Sequence, residues 1–427
     1  MTAFQREALQ DFVLQGEKSP PPVFVGRNDI LNNILSLAEL GGRKGKAPPG
    51  NTRIIQGAPG AGKSSVLNEL ASRSDQRGAS RTLVISNTYL QQALPNVLRG
   101  LAFAGSAPRE SWLQTVSEYG VSWLQKIKEV KAFGFGFSLS DSPETAPPQD
   151  LFSLEEQIPA EEWRMPVIVA VDEAQRFPSG KDTSHALFLQ TVHDAATSLP
   201  LTLVCAGLGD TQSRMHGLGL THGLRAHSLG CFTIGEYTEL LIRFCAHFGM
   251  NMGSCFERVL ALVRSTDGWP RHVHWAQQAL AEAVLEPGMD GDLDRITDWG
   301  KVQARSDALR QGYCATQLSN EMSLSRKLAG RVMFEIGKSR QLGHPLPHDE
   351  AVTLVETYAG FGEGAGWKIP EGHSAQTYVT HLIHCGALQE DSENDSMICP
   401  IPSFQSYIIQ KGGLDPDLGA ESDGNPS

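Results

Sequence analysis

The stretch GAPGAGKS, residues 57–64, constrains this chain more than any other part of it. It fits the pattern GxxxxGK[ST] at every fixed position, and its surroundings are those the pattern needs. The segment TRIIQG before it reads as a short buried strand, and KSSVLNELASR after it reads as a helix. Glycine at 57, 60 and 62 lets backbone N–H groups turn inward around phosphate oxygens, and the helix N-terminus adds its dipole. Lys63 supplies a point charge for the outer phosphates, and Ser64 a hydroxyl ligand for Mg²⁺. The expected nucleotide-binding residues are therefore Gly57, Ala58, Pro59, Gly60, Ala61, Gly62, Lys63, Ser64 and Ser65.

A phosphate loop of this kind needs a carboxylate at the end of a second buried strand. The run VIVAVDE, residues 167–173, supplies it. Asp172 is expected to hold the magnesium through water, and Glu173 to polarise an attacking water. Adjacent acids in this place argue for hydrolysis, because a fold that only senses nucleotide has no need of Glu173.

Near-continuous apolar strands follow one another with helices between. They are expected at 52–57, 81–86, 165–171, 199–210 and, shorter, in HSLGCFTIG. That pattern predicts a parallel sheet covered on both faces, an α/β fold. The expected organisation is an N-terminal extension at 1–22, an ATPase domain at 23–235, a helical lid at 236–290, a helical connector at 291–320, a winged-helix-like domain at 321–412 and a disordered tail at 413–427. The extension is polar and ends in prolines, so it reads as an extended lead-in. Helices are expected in LPNVLRGLAF and WLQTVSEYGVSWLQKIKEV, and a hairpin around Phe133, Phe135, Phe137 and Leu139.

The chain has 427 residues and a net charge of −12, which argues against a protein built to coat nucleic acid throughout. Its seven cysteines are scattered with no CxxC, as expected for buried reduced thiols. No apolar run is long enough for a membrane span, and MTAFQREALQ lacks the apolar core of a signal peptide. A cytoplasmic protein with no membrane partner is expected.

Three more features narrow the class: FVGRNDIL before the glycine loop, DGWPRHVHW in the helical region, and Arg225 in THGLRAHSLG. With these the chain resembles the AAA+ superfamily, in the branch of origin-recognition ATPases, transposition-regulator ATPases and signal-transduction NTPases. The resemblance spans about residues 23–285 and extends by architecture through the winged helix. It implies a P-loop sheet of the AAA+ type, ATP and Mg²⁺ as cofactors, and a homo-oligomer. Val25, Gly26 and Arg27 would lie near the adenine, and Arg271 would reach the phosphates from the lid. Arg225 looks like an arginine offered in trans to the γ-phosphate of a neighbouring subunit, with Arg214 as its rival. The sequence departs from the family at the polar sensor after the fourth strand. There Asp210 and Thr211 are the candidates, and Thr211 is preferred because an acid near the γ-phosphate is unusual.

The last region predicts three helices, a hairpin and a final helix, the order of a winged helix. A groove-binding version needs arginine and lysine on its third helix. SAQTYVTHLIHCGA has neither, and the hairpin tip QEDSENDS is acidic. Domain packing or a protein contact is the expected role. Basic density lies instead in Arg43, Lys44 and Lys46, and in Lys126, Lys128 and Lys131, a route by which the ATPase domain could track DNA. Two functions follow. One is an assembly-dependent ATPase that loads or recruits a partner protein in a DNA-associated process. The other is a signal-transduction ATPase that gates protein partners without DNA. A small-molecule kinase shares the loop, but the acid pair, the lid arginine and the appended domain disfavour it.

Overall fold

The computed structural model describes residues 3–16, 21–44, 51–85, 129–131, 136–138, 165–176, 184–220, 222–320, 325–361, 367–391 and 394–411. In chain order its elements are α1 (Arg6–Gln15), α2 (Asn28–Lys44), β1 (Thr52–Gln56), α3 (Lys63–Arg77), β2 (Arg81–Ile85), β3 (Glu129–Lys131), β4 (Gly136–Ser138) and β5 (Val167–Val171). Then come α4 (Ser184–Ser198), β6 (Leu201–Gly207), α5 (Thr211–Gly217), β7 (Leu224–Ser228), α6 (Ile234–His247), α7 (Phe256–Arg264), α8 (Pro270–Val284) and α9 (Trp299–Asn320). The chain ends with α10 (Arg326–Gln341), α11 (His348–Gly360), α12 (Ala375–His384), β8 (Gln389–Asp391), β9 (Ser396–Ile398) and α13 (Pro402–Lys411). The helices expected at 94–103 and 112–130 lie outside the described residues apart from β3. So do Phe133, Phe135, Leu139, Lys46, Lys126, Lys128 and the tail.

The chain divides into two compact units. One comprises Arg27–Gln56 and Lys63–Ser228. Its centre is a five-stranded sheet in the order β2-β5-β6-β1-β7, and every pairing is parallel. Strands β1, β5 and β6 are buried along their whole length, as their apolar runs require. The polar residues inside β1 are satisfied: Thr52 Oγ1 lies 2.8 Å from His193 Nδ1, and Gln56 Oε1 accepts from the Gln212 amide at 3.2 Å. The fifth strand begins at Leu224, earlier than HSLGCFTIG suggests, so Arg225 lies inside it. This edge strand is half-exposed, which is why its sequence, LRAHS, carries no apolar run.

The other unit comprises Met1–Gly26, Gly57–Gly62 and Leu229–Ser427. Here the N-terminal stretch departs from expectation. Arg6–Gln15 is a helix rather than an extended lead-in. The prolines at 20–22 follow the helix and so do not oppose it. Leu9 and Phe12 are buried in a core shared with α6, α7 and α8, where Phe12 stacks edge-on to Phe244 at 5.3 Å. Helix α6 starts with a reciprocal cap: Thr233 Oγ1 accepts the Glu236 amide and Glu236 accepts the Thr233 amide.

Further along this unit, α10, α11 and α12 are followed by the antiparallel hairpin β8–β9, and α13 packs back on α10. That is the element order expected at the sequence level. Ser374 caps α12 by accepting from the Thr377 amide at 3.1 Å, and Tyr378, Val379, Leu382 and Ile383 are its buried face. Among the described residues no helix is long and apolar enough to cross a membrane. All seven cysteines are free, and five are buried. Burial pushes the Cys205 thiol up to about 12, so it is an inert core residue.

Candidate nucleotide site

One group of the expected site residues lies in the sheet unit. Helix α3 begins at Lys63, a nearly buried lysine in its first turn, with Ser64 next. Ser64 Oγ donates to Asp172 Oδ2 at 2.7 Å, so the loop serine and the strand-end carboxylate meet as the two motifs require. Asp172 Oδ1 accepts from the Glu173 amide at 2.9 Å. Glu173 has φ of +56°, a left-handed conformation that is costly for a residue with a Cβ and tends to occur at functional sites. The turn at 172–173 thus sets two adjacent carboxylates in different directions.

A residue with no assigned role from the sequence holds Glu173. Gln175 Nε2 donates to Glu173 Oε2 at 2.7 Å, and Gln175 Oε1 accepts from the Leu208 amide at 3.2 Å. Its own carbonyl accepts from Arg214 Nη1 at 3.1 Å, and Arg214 is paired with Asp210. The strand-end acid is therefore tied through one amide side chain to the end of β6. The signal was present in VDEAQ, but a glutamine in a turn says nothing until its partner on another strand is known. Gly207 leaves the space in which Thr211 Oγ1 and Gln175 Oε1 lie, because a Cβ there would meet both.

Thr211, the preferred sensor, is fully buried, and its hydroxyl donates to the Leu208 carbonyl at 2.6 Å. Asp210 is engaged by Arg214. The polar group that reaches Glu173 from this neighbourhood is Gln175. Replacing Gln175 by Leu should lower turnover about tenfold and leave nucleotide affinity within about twofold, since it removes one bond to Glu173 and unpairs a backbone amide. Steady-state hydrolysis against nucleotide titration checks this; an unchanged rate would mean that Glu173 needs no such support.

Asp172 is half-buried, and burial raises its carboxyl above the ordinary value of 3.8, opposed by the Ser64 hydroxyl and the Glu173 amide. A protonated carboxyl cannot hold a divalent cation. Magnesium-dependent nucleotide binding should therefore weaken as pH falls, and should begin to do so above the usual carboxylate range. Magnesium titrations between neutral and mildly acidic pH read this directly. An affinity that stays flat down to the ordinary carboxylate range would contradict it.

The loop residues Gly57–Gly62 lie in the helical unit. Gly60 has φ of +87° and Gly62 of +92°, both left-handed. A Cβ on Gly60 would come within 2.8 Å of Arg271 Cβ and 3.2 Å of Trp269 Nε1, so the GWPR segment lies directly against the loop. The Arg271 amide donates to the Gly60 carbonyl at 3.2 Å, and Pro270 occupies the first helical position of α8. The Arg271 side chain is half-exposed. His272, next to it, is pushed down to about 3 by burial and then by Arg310, and stays neutral. In the same unit Val25 is buried, and Gly26, with φ of +75°, lies against Glu236. In the sheet unit Arg27 is also left-handed, at +57°, immediately before α2.

Arg225 is exposed on edge strand β7, in register with Arg53 of β1. Burial, followed by the charge of Arg225, lowers Arg53 to about 10. Among the described residues Arg225 has no ion-pair partner, whereas its rival Arg214 is held by Asp210 and the Gln175 carbonyl.

Comparison with known proteins bears on the fold. A family model described as the Schlafen group 3 DNA/RNA helicase domain matches residues 51–212, less than half of the chain. No curated protein matches. A Walker-type ATPase of Pyrococcus abyssi is similar in structure, with a TM-score of 0.51 and 17% identity over 90% of this chain and 96% of that one. The ORC2 protein of Aeropyrum pernix, solved as ADPNP–ADP complexes, has a TM-score of 0.44 and 14% identity, over 94% of this chain and 98% of that one. Cdc6p of Pyrobaculum aerophilum has 0.41 and 13%, over 95% and 99%. Phosphate loop, strand-end acid pair, parallel five-stranded sheet and the likeness to the Walker-type ATPase agree: the chain has the fold of a Walker-type ATPase.

Proposed function

We propose that this chain binds ATP with Mg²⁺ at Gly57–Ser65 and hydrolyses it, and that the bound nucleotide controls its assembly and its hold on a partner. The observation that carries this reading is the 2.7 Å bond between Ser64 Oγ and Asp172 Oδ2, with Glu173 held beside it. A hydroxyl and a carboxylate, both hard oxygens and few in number, suit magnesium, which keeps waters and phosphate oxygens as its other ligands. When bound there, magnesium would neutralise charge on the outer phosphates. Ser64 and Asp172 would hold it. Lys63 and the amides of the loop would bind the phosphates, Arg271 would approach them from the lid, and Val25, Gly26 and Arg27 would border the base. Glu173 would take up the proton of the attacking water, and Arg225 of one subunit would serve the site of the next.

Lys63→Ala should weaken ATP binding roughly 10–100-fold, the worth of a charge-assisted contact to phosphate. Equilibrium titration with labelled ATP tests this, and equal affinity in the two proteins would remove the basis of the reading.

A DNA-associated process is the leading setting. The family model that matches residues 51–212 is named for a DNA/RNA helicase domain, and the basic residues around 43–46 belong to the ATPase region. The second reading, a switch that gates protein partners without DNA, draws on the hairpin: Glu390 lies 3.3 Å from His348 and Asp391 3.7 Å from Arg340, so these two acids have partners inside the chain. The two are separated by capture from ATP-loaded protein, wild type beside Glu173→Gln. Steeply salt-sensitive duplex binding supports the first. No duplex binding at low salt, with a protein retained only in ATP, supports the second.

A further inference from the structure

Three peptide groups of the phosphate loop are held by side chains or amides far along the chain, all within the helical unit. The Ala58 amide donates to Gln389 Oε1 at 2.9 Å. The Pro59 carbonyl accepts from the Tyr313 hydroxyl at 2.9 Å, and the Gly60 carbonyl accepts from the Arg271 amide. Gln389 is the first residue of β8 and is 1% exposed. Gly386, just before it, has φ of +81°, and a Cβ there would come within 2.8 Å of Pro59 Cδ. The C-terminal hairpin is thus seated on the loop itself.

Elementary peptide geometry gives this seat a consequence. In a trans peptide the C=O and the following N–H point in opposite directions. Tyr313 draws the Pro59 carbonyl to one side and so turns the Gly60 N–H to the other. Gln389 does the converse for the Gly57–Ala58 peptide, by fixing the Ala58 N–H and so turning the Gly57 carbonyl the other way. Proline itself contributes no donor and a fixed φ, so these two anchors bracket the point at which the loop turns. Tyr313 is in turn packed against Trp275 of α8 at 5.0 Å, and His272 of the same helix lies 3.1 Å from Ser403 of α13.

We propose that Tyr313 and Gln389 are positioning residues of the phosphate loop, so that nucleotide affinity and the seating of the C-terminal hairpin are linked; this rests on the reading of the loop as a nucleotide site. Linkage is reciprocal: a hairpin that orients the loop favours nucleotide, and nucleotide tightens the hairpin.

The test uses the full chain. Tyr313→Phe removes one oxygen and keeps the ring packing, and Gln389→Met removes the acceptor at similar volume. Each should weaken ATP binding about five- to tenfold, the worth of one buried hydrogen bond. In the wild type, ATP should also slow amide hydrogen exchange in residues 386–398, and Gln389→Met should abolish that effect. Variants that bind within twofold of wild type, whether or not they melt earlier, overturn the proposal. So does exchange at 386–398 that ATP does not change. If wild type binds no nucleotide, the site reading fails instead. Should Gln389→Met fail to fold, Tyr313→Phe decides.

Discussion

Replacing Glu173 by Gln should lower ATP turnover by roughly 10²–10⁴-fold, the usual worth of a general base, and leave ATP bound. The shape of the site explains why the two effects separate. The left-handed backbone at Glu173 and its amide bond to Asp172 do not depend on the side-chain charge, so the turn survives. The replacement amide still offers an oxygen to Gln175 Nε2. The negative charge beside Asp172 disappears, which removes one of the influences that raise that carboxyl, so the magnesium pair of Ser64 and Asp172 is not weakened. Only the capacity to accept a proton from water is lost. Steady-state hydrolysis beside equilibrium ATP titration measures both. Turnover within a factor of about two of wild type would remove Glu173 from the chemistry.

Arg225→Ala should have an effect on the order of 10³-fold or more on assembled protein, since an arginine supplied to the γ-phosphate stabilises charge that develops only in the transition state. The position suits such a task. Arg225 stands exposed on an edge strand beside the buried Arg53, which is lowered first by its burial and then by the charge of Arg225. Removing it therefore relieves the fold rather than straining it, and stability should change by no more than about 0.5 kcal/mol. Arg214 is less suited to the task, because its guanidinium is occupied by Asp210 and the Gln175 carbonyl within its own unit. Specific turnover measured against protein concentration checks the assignment. In wild type it should rise with concentration as subunits meet, and in the variant it should stay flat with ATP binding intact. A variant that keeps the concentration-dependent rise would rule Arg225 out.

The parts of this site that were legible in the sequence are those whose chemistry is contiguous. TRIIQGAPGAGKS and VIVAVDE each carry their strand, their turn and their candidate side chains within about a dozen residues, so the pattern can be read locally. The parts that were not legible depend on pairing across the chain. Gln175 gains meaning only when the end of β6 brings the Leu208 amide to it, 33 residues away. Tyr313 and Gln389 lie 254 and 331 residues from the loop groups they bind. No spacing rule connects such positions.

Two local readings missed for other physical reasons. Prolines at 20–22 oppose helix only around themselves, and the helix they follow has Leu9, Phe12 and Val13 at helical spacing. The edge strand at 224–228 is half-exposed and mixed in polarity, and an apolar-run criterion therefore favours the segment after it. Thr211 shows a further limit. A hydroxyl residue after the fourth strand fits a sensor by type, and spacing alone does not show that the hydroxyl donates to the Leu208 carbonyl of its own turn.

The central claim is that this chain turns over ATP at the Ser64–Asp172–Glu173 site. Its most direct test is the identity of the nucleotide recovered from the protein after incubation with ATP and magnesium, in wild type and in Glu173→Gln. ADP is expected from wild type and ATP from the variant. ATP recovered unchanged from both, or no nucleotide retained by either, would contradict it.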